Sequence, residues 1–201
     1  VPIANSDILL IKLILSQFKE LSSTAIANNR PNIAEHIVNS LRDLAIQSIN
    51  NQNIVLIITK ILGSIGCNYS NKYQRSLVYL VLKSIGKIGN CSEASVSEQA
   101  IASLGKIGCI CAEKGMSEAY IASNCIAKIC FRAINNTIKN KIWIDDLRES
   151  IKYLVRIAKR AAENESIGTA SQTIFLIKDL GIKSKNLYFI ENLIDDISSI
   201  K

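Results

Sequence analysis

Apolar residues recur three and four positions apart along most of the chain, and polar breaks interrupt them at short intervals. That period predicts amphipathic helices. Leu10, Leu13 or Ile14, Gln17 and Leu21 mark the inward stripe of a first helix, running from a Ser6-Asp7 cap to about residue 27. Asn28-Asn29-Arg30-Pro31 is a stop and restart, with proline suited to a first helical position. Ile33, Ile37, Leu41, Leu44 and Ser48 mark the second helix. Ile57 or Ile58, Ile61 and Ile65 mark a third over about 54–66, with a break from Cys67 to Asn71.

The fourth covers about 72–89 on Leu77, Val81, Ser84 or Ile85, and Ile88. Ser95-Val96-Ser97-Glu98 has capping-box spacing and opens a fifth, on Val96, Ala100, Leu104, Ile107 and Cys111. Gly115 sits where a helix-ending glycine belongs. A sixth helix uses Ala119, Ala122, Ile126, Ile129 and Ala133. A seventh runs from near Ile144 on Leu147, Ile151, Leu154, Ala158 and Ala161 or Ala162. An eighth spans about 167–180 and closes at Gly181. A ninth begins near Ser184 on Leu187, Ile190, Leu193 or Ile194, and Ile197. No segment of four or more residues alternates with period two, so the expectation is an all-α chain of about nine antiparallel helices in one domain over 1–201.

The chain also repeats itself. Leu62-Gly63-Ser64-Ile65-Gly66 returns as Ile85-Gly86-Lys87-Ile88-Gly89 and as Leu104-Gly105-Lys106-Ile107-Gly108. A decayed copy is Ile126-Ala127-Lys128-Ile129-Cys130. Two such units span about 42 residues, a helix-pair period. Glycines three apart share a helix face. Each costs about 1 kcal/mol against alanine in a helix interior. Gly63, Gly66, Gly86, Gly89, Gly105 and Gly108 are therefore expected where a neighbouring helix comes close or where a helix ends.

The run Ala100-Ile101-Ala102-Ser103-Leu104-Gly105-Lys106-Ile107-Gly108 resembles the HEAT and armadillo class of repeats over about 55–130. That resemblance implies a right-handed α-α superhelix, a solenoid. It also implies a scaffold that mostly binds proteins and in some members nucleic acid, while a few relatives are enzymes. The fold is implied far more firmly than any activity.

Composition narrows the chemistry. The 201 residues carry a net charge of +7, from 24 basic and 17 acidic side chains, spread evenly along the chain. Lys87, Lys106 and Lys128 share a position in the pentamer, and Lys83 lies one turn before Lys87; such a column suits phosphate backbones or an acidic peptide. Lys139, Lys141, Arg148, Lys152, Arg156, Lys159 and Arg160 extend the basic character, with Asp145, Asp146, Glu149 and Glu163 interleaved.

His36 is the single histidine, and no nucleophile elbow accompanies it, so no catalytic residue is assigned. The six cysteines contain no Cys-x-x-Cys pair and read as small buried thiols in a reducing, cytoplasmic setting; no metal ligand or cofactor is assigned. Tyr69, Tyr73 and Tyr79 cluster at a joint and in the core. Trp143 is read as packing at the start of the seventh helix, and Glu191, Asp195 and Asp196 as a solvated acidic end.

No apolar run reaches the length of a transmembrane helix. The start at Val1-Pro2 suggests a piece of a longer protein, either cytoplasmic or the cytoplasmic portion of a membrane-attached one. The function expected is a non-enzymatic scaffold for protein partners. The alternatives are a nucleic-acid binder using the lysines and an enzyme with a concave-face pocket.

Overall fold

A computed structural model describes the backbone of residues 5–136 and 144–184, with side chains for 13–135 and 147–184. Among the described residues there are eight α-helices and no strand. They are α1 (Asn5–Ala27), α2 (Pro31–Gln47), α3 (Gln52–Asn71), α4 (Arg75–Cys91), α5 (Ala94–Glu113), α6 (Glu118–Asn136), α7 (Ile144–Glu163) and α8 (Ile167–Ser184). The ninth helix expected after Ser184 lies outside the described residues, as do Trp143, Lys139, Lys141, Glu191, Asp195 and Asp196.

The odd helices all end alike. Asn29, Tyr73, Gly115 and Glu165 adopt φ of 54°, 56°, 63° and 57°. Each donates its N–H to the carbonyl three residues back. The following residue reaches five back: Arg30 to Ala25, Gln74 to Tyr69, Met116 to Cys111 and Ser166 to Ala161, at 2.8 to 3.0 Å. The left-handed residue turns the chain and lets those N–H groups satisfy carbonyls that the helix end would otherwise orphan, as in a Schellman motif. An even helix then starts at once, so α1–α2, α3–α4, α5–α6 and α7–α8 are the helix pairs. Successive joints are 44, 42 and 50 residues apart.

The chain divides into two compact units, Val1–Ser103 and Leu104–Lys201. In the first, α1 packs on α2 and α3, α2 on α3 and α4, and α3 on α4. The Ser97 hydroxyl at the start of α5 donates to the Gly89 carbonyl of α4 at 2.8 Å. In the second, α6 packs on α7 and α8, and α7 on α8. Within each unit, α1 to α4 and α6 to α8 thus touch the next helix and the next but one.

The pentamers lie inside α3, α4 and α5. Leu62, Ile65, Ile85, Ile88, Leu104 and Ile107 are all buried. All six glycines lie within helices, and Gly63, Gly105 and Gly108 serve close approach. A β-carbon on Gly63 would stand 2.5 Å from the Ser103 hydroxyl oxygen. On Gly105 it would run into the Tyr153 ring of α7. On Gly108 it would stand 2.6 Å from Ile157 Cδ1 and 2.8 Å from Ala122 Cβ. Gly66 and Gly89 are buried and Gly86 is half-buried.

Counting from the joints aligns the odd helices residue by residue. Phe18, Leu62, Leu104 and Leu154 each precede their joint residue by eleven positions. Leu21, Ile65, Ile107 and Ile157 follow three later, and Ser22, Gly66, Gly108 and Ala158 one after that. The last set is small and buried in every helix.

Several local expectations need correction. Helix α3 does not break at Cys67 but continues to Asn71, because Gly66 is packed inside it. Helix α8 continues past a buried Gly181 to Ser184. The capping box at Ser95 does not form. α5 already starts at Ala94, the Ser95 hydroxyl donates to Gln52, and Ser97 donates backwards to Gly89, Ser92 and Glu93. The stripe assigned to the core of α1 faces outward instead. Leu13, Ile14, Gln17 and Leu21 are exposed, and Leu15, Ser22 and Ala25 face inward. α1 is apolar on two faces, so periodicity alone allowed either.

Candidate interaction surface

Buried polar groups are the first place to look for a site. Here the structure uses them internally. Thr59, Ser70 and Ser123 donate to the carbonyl four residues back in their own helices, and Ser92, just past the end of α4, donates to the Ile88 carbonyl. Thr173 of α8 also reaches Ser123 of α6 at 3.2 Å. Among the described residues no buried side-chain nitrogen or oxygen lacks a partner.

Among the described residues the one buried phenol is Tyr69, at the last turn of α3. Its hydroxyl meets the Ser22 hydroxyl of α1 at 2.5 Å, and the neighbouring Asn68 amide donates to Ser23 at 2.9 Å. Burial holds the Tyr69 phenol above the ordinary value of 10.0 and outweighs the opposing pull of Ser22. A group whose pKa is raised on folding stabilises the fold below its unfolded value, and that contribution disappears as pH rises through the raised one. Tyr69→Phe is therefore expected to cost about 1–2 kcal/mol at neutral pH, because Ser22 loses its partner. It should also flatten the loss of stability above about pH 10. Urea melts of both proteins across that range check this; an unchanged alkaline slope refutes it.

None of the six cysteines forms a disulfide; Cys109, Cys111, Cys125 and Cys130 are buried, Cys67 half-buried and Cys91 exposed. Burial raises the Cys109 thiol above its ordinary value, although Arg160 and Arg156 nearby pull it down. A neutral, enclosed thiol is a poor nucleophile. His36 is exposed on α2. Among the described residues no group of three or more His, Cys, Asp or Glu is placed to hold a metal ion.

The four lysines are individually exposed. Lys83 and Lys87 lie on α4 in the first unit, and the Lys83 ammonium sits 5.4 Å from the Tyr79 ring centre. Lys106 on α5 and Lys128 on α6 lie in the second unit. In the register set by the joints, Lys87 follows Tyr73 by fourteen residues and Lys128 follows Gly115 by thirteen. One residue is about 100° of helix rotation. Tyr73 and Tyr79 are exposed and only Tyr69 is core. On α7, Arg148, Lys152, Arg156 and Lys159 share one exposed side, with Lys152 paired to Glu149 at 2.5 Å. Arg160 pairs with Glu113 of α5 at 2.6 Å.

The sequence pattern gave no hint of the first helix pair as a surface. Leu21 is 55% exposed, whereas Ile65 and Ile107 at the same station are at most 1% exposed. Ile14 is 50% exposed, whereas Ile58 and Ala100, its equivalents, are fully buried. On α2, Ile33 and Leu44 are exposed where Leu77 and Ile88 of α4 are buried. The face of the first pair is built like the buried faces of the others, and no described residue covers it.

The chain is similar in fold to a solved structure described as the DHF46 filament. The TM-score is 0.67 at 12% sequence identity, over 87% of this chain and 98% of that one. No family model matches the sequence, and no curated protein matches it. Among the described residues no helix is long and apolar enough to cross a membrane.

Proposed function

We propose that the chain is a HEAT/armadillo-like α-α superhelix that acts as a non-enzymatic scaffold for protein–protein contact. The carrying observation is the joint: four helix pairs turned by the same left-handed residue and the same backward hydrogen bond, about 42–50 residues apart. Stacked pairs of that kind bury a continuous core and leave long outer faces for partners. The likeness to a filament, itself an assembly of chains, supports contact between proteins as the use of such a fold. The exposed apolar stations of α1 and α2 supply a surface that soluble monomers rarely leave open.

The test is affinity capture from native cell extract, with and without nuclease, comparing the chain with an Ile14→Glu/Leu21→Glu variant. A protein retained by the first and lost by the second is the expected result. Retention of nothing but nuclease-sensitive material overturns the reading in favour of a nucleic-acid partner for the exposed lysines. An identical set retained by both shows that the face is not used.

A further inference from the structure

Acidic residues are not shared evenly among the helices. From Leu44 to Ser92 the chain carries the basic residues Lys60, Lys72, Arg75, Lys83 and Lys87 and no Asp or Glu. That stretch contains all of α3 and α4, and every other described helix holds at least one acid. All of these cations are exposed. The same helix pair carries the exposed tyrosines of the described residues, Tyr73 at 58% and Tyr79 at 47%. On α4, Arg75, Tyr79, Lys83 and Lys87 follow one another at four-residue spacing and form one row, with steps of about 6 Å along the axis. The Lys83 ammonium lies 5.4 Å from the centre of the Tyr79 ring. Acids border this row without entering it. Glu35 and Asp43 of α2, which packs on α4, hold the stations of Tyr79 and Lys87, and Asp43 is paired with Arg42 at 2.8 Å. Glu93 follows the end of α4.

We infer that the α4 row binds single-stranded nucleic acid, with phosphates on Lys83 and Lys87 and an unpaired base on the Tyr79 ring. Cations that track a backbone, interleaved with aromatic rings on which bases stack, are what such a strand requires. A duplex keeps its bases stacked inside and offers the ring no partner. A protein interface places apolar anchors at its centre and charge at its rim. A helix lying on lipid carries large apolar side chains beneath its cations. α3 and α4 expose no large aliphatic side chain, and their cations stand in the middle of the row. The row shares no residue with the α1–α2 face, so it adds a second class of partner to the scaffold.

Fluorescence anisotropy on the full chain tests this, with labelled oligo-uridine and oligo-thymidine of about 20 nucleotides at about 50 and 200 mM salt. At least one strand is expected to bind, less tightly at the higher salt. Lys83→Glu/Lys87→Glu should lower the affinity at least about tenfold. Tyr79→Ala should lower it about fivefold or more and Tyr79→Phe should not, since stacking needs the ring and not the hydroxyl. Lys159→Glu/Lys178→Glu makes the same change in net charge at other exposed positions and should cost less than about threefold. Every substituted residue is exposed, so the variants keep their helix content, which circular dichroism checks. Failure of both strands to bind at up to about 100 µM protein overturns the inference. So does a Tyr79→Ala variant that binds like the original while a blunt duplex binds equally well, or a charge-matched control as damaging as the Lys83 and Lys87 pair. Binding of polyglutamate or of phosphatidylserine vesicles through the same lysines, in place of the strands, overturns it in favour of an acidic protein or a lipid surface.

Discussion

Gly105→Ala lowers the stability of the chain by about 2 kcal/mol net, the overpacking cost exceeding the gain of about 1 kcal/mol in helix propensity. The reason is the Tyr153 ring. A methyl at residue 105 would overlap Cγ and Cδ1, the atoms nearest the tyrosine backbone, and would stand 2.8 Å from Cε1. Those ring atoms cannot swing aside as the tip of a long side chain can, so α5 and α7 must separate. Gly168→Ala is the matching control. Nothing lies within 4 Å of its missing β-carbon, so it should stabilise by up to about 1 kcal/mol. Urea denaturation of both variants gives opposite signs if the close approach is real. Adding Tyr153→Ala to Gly105→Ala should recover part of the loss relative to simple additivity. A Gly105→Ala protein as stable as the original would show that the glycine is not there for contact.

Ile65→Ala and Leu21→Ala occupy one station of the repeat and should differ by an order of magnitude. Truncating a fully buried isoleucine removes its transfer energy and leaves a cavity, at about 2–5 kcal/mol. Ile65 is buried beneath the helices packed on α3. Leu21 has more than half its surface in solvent, so its truncation should cost within about 0.5 kcal/mol in dilute protein. Chemical denaturation at low concentration reads both values. Equal costs would mean that the α1 face is covered after all.

The helices themselves were readable because burial leaves a period in the sequence. Leu77, Val81, Ile85 and Ile88 of α4, and Val96, Ala100, Leu104 and Ile107 of α5, are inward as their spacing predicts. Gly115 and Asn29 were readable at helix ends because glycine and asparagine are the residues that most readily adopt the left-handed conformation. Tyr73 and Glu165 hold the same φ without that signature. The joint is the clearest repeated structure in the chain, and four different residue types conceal it. Its hydrogen bonds are made by the backbone, which carries no sequence signal.

The face of α1 was legible only as a stripe, not as a direction. Leu13, Ile14 and Leu21 on one side and Leu15 and Ala25 on the other satisfy the same periodicity. Which of them is buried depends on where α2 and α3 lie. The glycines illustrate the same division. Their spacing predicted a close approach or a helix end, and only the positions of Ser103, Tyr153, Ile157 and Ala122 select the first.

The amino-acid sequence by itself determined that this protein is helical, where most of its helices lie and which pentamers repeat, because those properties follow from short-range spacing and backbone preference. The tertiary structure alone decided how the helices pair, why the glycines are glycine and which apolar stripe is left in water. Those depend on contacts between residues some 40–50 positions apart, as with Ser22 and Tyr69 or Gly105 and Tyr153. Periodicity along one helix cannot encode which neighbour will cover it.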